Sequence, residues 1–146
     1  MGTRSLTFVY EEKSRTPIMC MYRQMDGYPS GHGKDLVDFL EPITIVNGIP
    51  FLNEPKSLAN GAGCLAAQMV YHFKDGQVGG IYLLPTGTKD AGQDYVYKIT
   101  VPIIDWKGGR EFNLDDYKIS VTDWNKKVIF RGNFSKFKNF CNNSDD

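Results

Sequence analysis

The residues with the clearest capacity for chemistry cluster around positions 26–35, where the sequence reads DGYPSGHGKD. Glycines immediately before a helix allow backbone N–H groups to converge on an anion at the positive end of that helix. The flanking cations Arg23 and Lys34 add to this attraction. The sequence therefore predicts a site for an anionic small molecule such as a nucleotide, or for a protein partner. The residues predicted to bind it are Arg23, Gln24, Asp26, Tyr28, Ser30, Gly31, His32, Gly33 and Lys34.

The same loop also allows acid–base chemistry. A histidine has an ordinary pKa of about 6.5, so His32 can act as a general acid or base, with Asp26 orienting its ring. This alternative predicts a small hydrolase or transferase, with Cys64 as a further candidate nucleophile if it meets His32 across the fold. A third interpretation is a simple turn, in which Ser30 caps the following helix and His32 is solvated.

Known phosphate-binding motifs do not fit this loop. A Walker A loop requires GxxxxGK[ST], whereas Gly27 and Gly33 are too far apart and Lys34 is followed by Asp35. The pattern GxGxxG is also missing. The chain has 2 histidines and no dense acidic cluster, so no metal site is predicted. The sequence does not identify a cofactor.

The second candidate group lies on a predicted helix over residues 60–74, for which Asn60 is the expected cap. Cys64, Gln68 and His72 form one stripe of this helix. Because eight helical residues span about 12 Å, Cys64 and His72 cannot be a catalytic dyad. The commoner interpretation is a packed cysteine and a histidine at the rim.

Composition limits the class of protein. A chain of 146 residues with 41% hydrophobic residues predicts one domain over 1–141, followed by a disordered polar tail over 142–146. Its formal net charge is +0, which argues against a protein that coats nucleic acid or an anionic membrane. The 3 scattered cysteines and the lack of a long apolar run or signal peptide predict a reduced, cytoplasmic protein without a membrane span.

The hydrophobic pattern predicts an α+β fold. β-rich runs over 4–10 and 17–24 predict an N-terminal hairpin, and residues 34–42 predict a short helix that ends before Pro42. Strands over 78–85 and 94–102 are predicted to pair around the loop 86–93. A last hairpin is expected over 117–134, before a short aromatic element over 135–140. The predicted architecture is a largely antiparallel sheet of about six strands with two helices packed on one face.

Residues 124–140 form a basic aromatic segment, with cations at 126, 127, 131, 136 and 138 and no acid. Aromatic rings beside cations are typical of surfaces that bind single-stranded nucleic acid. The alternative is that the phenylalanines belong to the core and the lysines protect an edge strand. This segment is the only nucleic-acid candidate in the chain. Exposed aromatics also allow a further class, a structural or oligomeric interaction protein.

Three stretches of the sequence are similar to parts of known proteins. GTRSLT at 2–7, MYRQMDGYPSGHGKDL at 21–36 and GAGCLAAQMVYHFKDG at 61–76 resemble a group of small uncharacterised proteins encoded by bacteria, their phages and some large viruses. The resemblance covers about the first two-thirds of the chain. It implies a phage origin and a role for the loop, and it implies no particular activity.

Overall fold

The structure is a computed structural model and describes residues 2–48, 57–105 and 108–145. Within these ranges the chain forms eight strands, three α-helices, one turn of π-helix at Pro29–Gly33 and one turn of 3-10 helix at Leu114–Asp116. The strands are β1 (Ser5–Glu11), β2 (Met19–Arg23), β3 (Thr44–Val46), β4 (Leu58–Asn60), β5 (Ile81–Leu84), β6 (Tyr95–Val101), β7 (Lys118–Thr122) and β8 (Val128–Gly132). The helices are α1 (Lys34–Leu40), α2 (Gly61–Lys74) and α3 (Phe134–Asn142).

Six strands form one sheet in the order β5-β2-β1-β6-β7-β8. Every neighbouring pair is antiparallel except β1 and β6, which run parallel. Strands β3 and β4 form a separate parallel pair. The predicted α+β class and the largely antiparallel sheet are confirmed.

The two predicted hairpins, β1–β2 and β7–β8, are confirmed, but the predicted pairing of β5 with β6 is wrong. Strand β5 pairs with β2 at one edge, whereas β6 lies at the centre beside β1. The side chains explain the difference. Alternate residues of β6 are fully or nearly buried, which suits a central strand, whereas β5 has no buried residue and suits an edge.

Each central strand presents one face to the helices, here called the inner face, and one face away from them, here called the outer face. In β1, Thr7 and Val9 point inward, whereas Leu6, Phe8 and Tyr10 point outward. Helix α2 packs on β1, and α3 packs on β7 and β8. The main core therefore lies between the inner face and the helices.

The expectation of two helices is wrong, because residues 134–142 form the third helix, α3. Phe134, Phe137 and Cys141 recur at helical spacing and are almost completely buried. Asn133 caps the helix, since its side-chain oxygen accepts from the Lys136 amide at 3.0 Å. Asn142, which the sequence assigns to a disordered tail, is the last residue of α3.

None of the helices in the described ranges combines the length and the apolar character needed to cross a bilayer.

Candidate functional site

A chain of hydrogen bonds runs from the core to the surface through His32. Its Nε2 lies 2.7 Å from the hydroxyl of Thr7 on β1, and its Nδ1 lies 3.0 Å from Nη1 of Arg23 on β2. The same Nη1 donates to the carboxylate of Asp35 on α1 at 2.7 Å. His32 is completely buried, whereas the Asp35 side chain is 48% exposed. The network therefore links a buried imidazole to a charged pair at the surface.

The partners of His32 fix its protonation state. Arginine can only donate, so Nδ1 must accept from Arg23, and the proton must be on Nε2, which donates to Thr7. Burial, together with the nearby positive charge of Arg23, lowers the pKa of His32 to about 3. The ring is neutral at neutral pH, and both of its nitrogens are engaged. It positions Arg23 and has no free nitrogen for a substrate.

The expected role of Asp26 as the group that orients the imidazole is therefore wrong. The Asp26 carboxylate accepts from the hydroxyl of Tyr28 at 3.1 Å. Only the backbone carbonyl of Asp26 contacts His32, by accepting from its amide at 2.8 Å. A His32–Asp26 acid–base pair has no geometric support in this arrangement.

The expectation that the loop amides converge on an anion is also wrong. The Gly27 amide donates to the carbonyl of Thr3 at 2.8 Å, and the His32 amide donates to Asp26. The amides of Gly31 and Gly33 both donate to the carbonyl of Tyr28, at 2.9 and 3.5 Å. The carbonyls of Thr3, Asp26 and Tyr28 occupy these four donors, so they are not left for a ligand.

The glycines of the loop are explained by close packing. A Cβ atom on Gly27 would lie 2.8 Å from the backbone of Arg4, and one on Gly31 would lie 2.5 Å from the carbonyl oxygen of Asp26. A Cβ atom on Gly33 would lie 2.6 Å from the sulfur of Cys141 in α3. The loop must therefore lack side chains at these three positions in order to pack against residues 4–5, against its own first residues and against α3.

The other predicted binding residues lie in different places. The side-chain oxygen of Gln24 accepts from the hydroxyl of Tyr22 at 2.5 Å, and the backbone amide of Gln24 donates to the carbonyl of Gly80. Ser30 is half-buried within the π-helical turn, and Lys34 is exposed at the start of α1. Of the predicted set, Arg23 lines a cleft of about 490 Å³, and Tyr28 lines a different pocket of about 540 Å³.

The cysteines give no sign of a nucleophile. Cys64 is half-buried and packs against the core, and the ring nitrogens of His32 are already engaged, so the predicted meeting of Cys64 with His32 has no support. Burial raises the pKa of Cys20 to about 11 and that of Cys141 to about 12. Both thiols therefore stay protonated and unreactive at neutral pH.

A cleft of about 490 Å³ opens where the network reaches the surface. Strand β2 contributes Arg23, α1 contributes Asp35 and Asp38, and the end of α2 contributes His72 and Asp75; we call this space the acidic cleft. Asp75 sits at the C-terminus of α2 with a left-handed φ of 47°. The ring of His72 packs on Phe39, with centroids 5.1 Å apart.

The charges of the acidic cleft do not cancel. Arg23 neutralises Asp35, and its remaining contacts are the carbonyl of Met25 and the ring of His32. Within the described ranges, no lysine or arginine forms an ion pair with Asp38 or Asp75. Asp38 and Asp75 therefore share one concavity with a neutralised arginine. The ammonium of Lys74 is engaged separately, since it donates to the carbonyl of the lining residue Ile81 at 2.9 Å and to that of Gly79 at 3.1 Å.

These carboxylates are not arranged as a metal centre. No group of three or more His, Cys, Asp or Glu side chains in the described part of the chain is placed to hold a metal ion. Sequence reasoning missed Asp38, His72 and Asp75 as a set, because they come from two helices separated by a long stretch of chain. The one sequence feature that could have indicated part of this set is the spacing of Asp35 and Asp38, which places both on the same side of a helix.

The basic aromatic segment 124–140 is divided between β8 and α3. Phe134 and Phe137 are buried in the core, and Phe130 stacks on Phe140 with centroids 5.0 Å apart. Trp124 is 61% exposed and contacts Tyr95 edge-to-face. The two buried phenylalanines cannot stack on bases.

No family model, no curated protein and no solved structure matches this chain. The resemblance to bacterial, phage and viral proteins stays a prediction.

Proposed function

We propose that this chain is a small binding protein whose acidic cleft holds an organic cation with amine or guanidinium groups. The observation that carries the proposal is the pair of uncompensated carboxylates, Asp38 and Asp75, in one concavity of about 490 Å³. This volume suits a small molecule. The sequence predicts a binding protein in the same region, but with an anionic ligand.

Two features of the structure favour a cationic ligand over the anionic ligand that the sequence predicts. The loop amides that would bind an anion already donate to carbonyls, and the one predicted cation at the cleft, Arg23, is paired with Asp35 at 2.7 Å. An incoming phosphate would face two unpaired carboxylates, and like charges repel. An ammonium group meets attraction at the same place.

The buried network supports this role by holding the cleft in shape. Nη1 of Arg23 is fixed by Asp35 and His32, and its Nε donates to the carbonyl of Met25 at 2.7 Å. None of the hydrogen bonds that Arg23 forms within the described residues uses Nη2, which can donate to an acceptor on the ligand. A ligand with an amine at one end and an acceptor near Arg23 fits this arrangement of charges.

Calorimetric titration with putrescine, agmatine and ATP tests the proposal. We expect the two amines to bind at this cleft, whereas any binding of ATP should have the same affinity in the unmodified chain and in the cleft variant described next. The double variant Asp38→Asn/Asp75→Asn should bind the amines at least about tenfold more weakly, because it removes both attractive charges. A lysine-rich peptide tests whether the cation belongs to the side chain of a partner protein.

The matched control is Glu111→Gln/Asp145→Asn, which removes two exposed carboxylates far along the chain from the cleft residues. It has the same net charge as the cleft variant and should keep the affinity of the unmodified protein. An equal loss in both double variants, or binding of ATP and not of amines to the cleft, contradicts the proposal.

A further inference from the structure

The outer face of the sheet carries a row of cations that lies on the side of the sheet opposite the three described helices. Lys98 of β6 is paired in register with Ser120 of β7, and Ser120 with Arg131 of β8, so these side chains stand on adjacent strands. Lys118 lies two residues before Ser120 and points to the same face. All three cations are exposed.

The positive charge of this row is not neutralised. In the part of the chain that the structure describes, none of Lys98, Lys118 and Arg131 takes part in an ion pair. The charge of Lys118 helps to lower the pKa of Glu12, but the carboxylate of Glu12 is bound by Arg110 at 2.6 Å.

Two carboxylates, Asp115 and Asp116, line the same space as these cations and accept hydrogen bonds from the protein. Asp115 accepts from the amide and the hydroxyl of Ser135, at 2.9 and 2.7 Å. Asp116 accepts from the Asn113 amide at 3.2 Å and lies 3.9 Å from Arg110. The three cations outnumber these two carboxylates, and each carboxylate is already hydrogen-bonded within the protein, so the net charge of the row stays positive and attracts an anion.

The three cations line a groove of about 670 Å³, together with Tyr10 and Ser120. We call it the outer groove. A second, smaller pocket of about 380 Å³ adjoins it under the loop 86–89 and shares Tyr10 and Lys98 with it. Phe8, Pro17 and Val96 make this adjoining pocket apolar.

We propose that the outer face binds a free nucleoside phosphate, with the phosphates on the cations of the outer groove and the base in the adjoining apolar pocket. Phosphates suit a cluster of lysine and arginine, and flat bases pack well against aromatic and apolar side chains. Tyr10 lies between the two sites and can contact the sugar or the base. One phosphate-binding groove beside one base-binding pocket suits a single nucleotide better than a strand of nucleic acid, which has many phosphates and bases.

This site is separate from the acidic cleft and does not depend on the function proposed for it. It also differs from the loop at 26–35, where the sequence places an anionic ligand. Of the cations in the basic segment 124–140, Arg131 alone lines the outer groove. The other two cations, Lys98 and Lys118, come from strands β6 and β7.

Calorimetric titration of the full chain with ATP, adenosine and tripolyphosphate tests both compartments. We expect ATP to bind at least about tenfold more tightly than adenosine, which lacks the phosphates, and than tripolyphosphate, which lacks the base. The triple variant Lys98→Gln/Lys118→Gln/Arg131→Gln should weaken ATP binding by at least about thirtyfold.

The matched control is Lys126→Gln/Lys127→Gln/Lys136→Gln, which removes the same charge from the basic segment without changing a residue that lines the outer groove. It should keep ATP binding within about twofold, because long-range charge effects are screened by salt. We expect both triple variants to fold, because the substituted side chains are solvent-exposed or partly exposed. Urea unfolding of each variant checks this.

Four outcomes overturn the proposal. They are no detectable ATP binding, equal losses in the two triple variants, tripolyphosphate binding as tightly as ATP, and binding of single-stranded oligonucleotides without binding of ATP. The last outcome assigns the face to nucleic acid.

Discussion

His32 is the residue whose surroundings most constrain its chemistry. It is completely buried, donates to Thr7 and accepts from Arg23, and burial lowers its pKa to about 3. In the unfolded chain the imidazole has its ordinary pKa of about 6.5. The unfolded state therefore binds a proton between these two values and the folded state does not.

The consequence is a pH-dependent stability. The contribution of His32 is fully present above about pH 6.5 and is lost as the pH falls toward 3. We expect the free energy of unfolding, measured in urea, to fall by about 2 kcal/mol from this residue between pH 7 and pH 5. His32→Gln keeps a donor and an acceptor but does not titrate, so this fall should be much smaller. His72→Gln, at an exposed position, should behave like the unmodified chain.

Two buried tyrosines give a matched pair of predictions. The hydroxyl of Tyr117 is buried and has no hydrogen-bond partner in the described residues, whereas that of Tyr97 donates to the carbonyl of Gly27 at 2.7 Å. Tyr117→Phe removes an unsatisfied group and should leave stability unchanged or raise it by about 1 kcal/mol. Tyr97→Phe leaves that carbonyl without this donor and should cost about 1–3 kcal/mol. Equal effects of the two substitutions on urea unfolding would contradict this assignment.

At the scale of elements, the glycines of the loop and of α2 should respond in opposite ways to alanine. Gly27→Ala places a Cβ atom within 3 Å of the backbone of β1 and should cost at least about 2 kcal/mol. Gly63 is exposed within α2 and a Cβ there meets no atom within 4 Å, so Gly63→Ala should stabilise the chain by about 0.5–1 kcal/mol. Thermal unfolding followed by circular dichroism measures both. A tolerated alanine at position 27 would show that close packing does not explain that glycine.

At the scale of the whole molecule, α3 completes the core. Phe134 and Phe137 are at most 1% exposed, and Lys138 pairs with Glu41 of α1 at 2.6 Å. Each buried phenylalanine contributes about 3–5 kcal/mol, and a whole domain has only about 5–15 kcal/mol of net stability. A chain that ends at Gly132 should therefore lose cooperative thermal unfolding.

The matched control for this truncation ends at Ser144, after the helix. It removes only the last charged residues and should unfold at the temperature of the full chain. A cooperative transition in the shorter chain would show that the sheet, α1 and α2 form a sufficient core without α3.

The whole molecule also separates two kinds of charge. The acidic cleft lies at the helix side of the sheet, and the outer groove lies on the opposite face. A chain with a formal net charge of +0 can therefore carry one negative and one positive concavity. A net charge of +0 excludes a surface that is positive or negative throughout. It does not exclude local patches of one charge.

The sequence by itself determined the class of fold and most of the elements. Alternation in β1, β6 and β7 and the helical spacing in α1 and α2 are local patterns, so residues close in the chain reveal them. The hairpins β1–β2 and β7–β8 also join neighbours in sequence. Helix α3 was missed, although its three buried positions and its Asn133 cap are present in the sequence, because a short run beside a hairpin resembles an extension of the strand.

Only the tertiary structure decided the position of β6, the state of His32 and the composition of the acidic cleft. The pairing of β1 with β6 joins residues about 90 positions apart, and Thr7, Arg23 and His32 come from three elements. The loop at 26–35 has the composition of an anion site, yet the backbone amides of Gly27, Gly31, His32 and Gly33 donate to carbonyls of the loop itself and of Thr3. Composition identifies the groups that can bind a ligand. Whether those groups are already hydrogen-bonded within the protein depends on which residues the fold brings next to them.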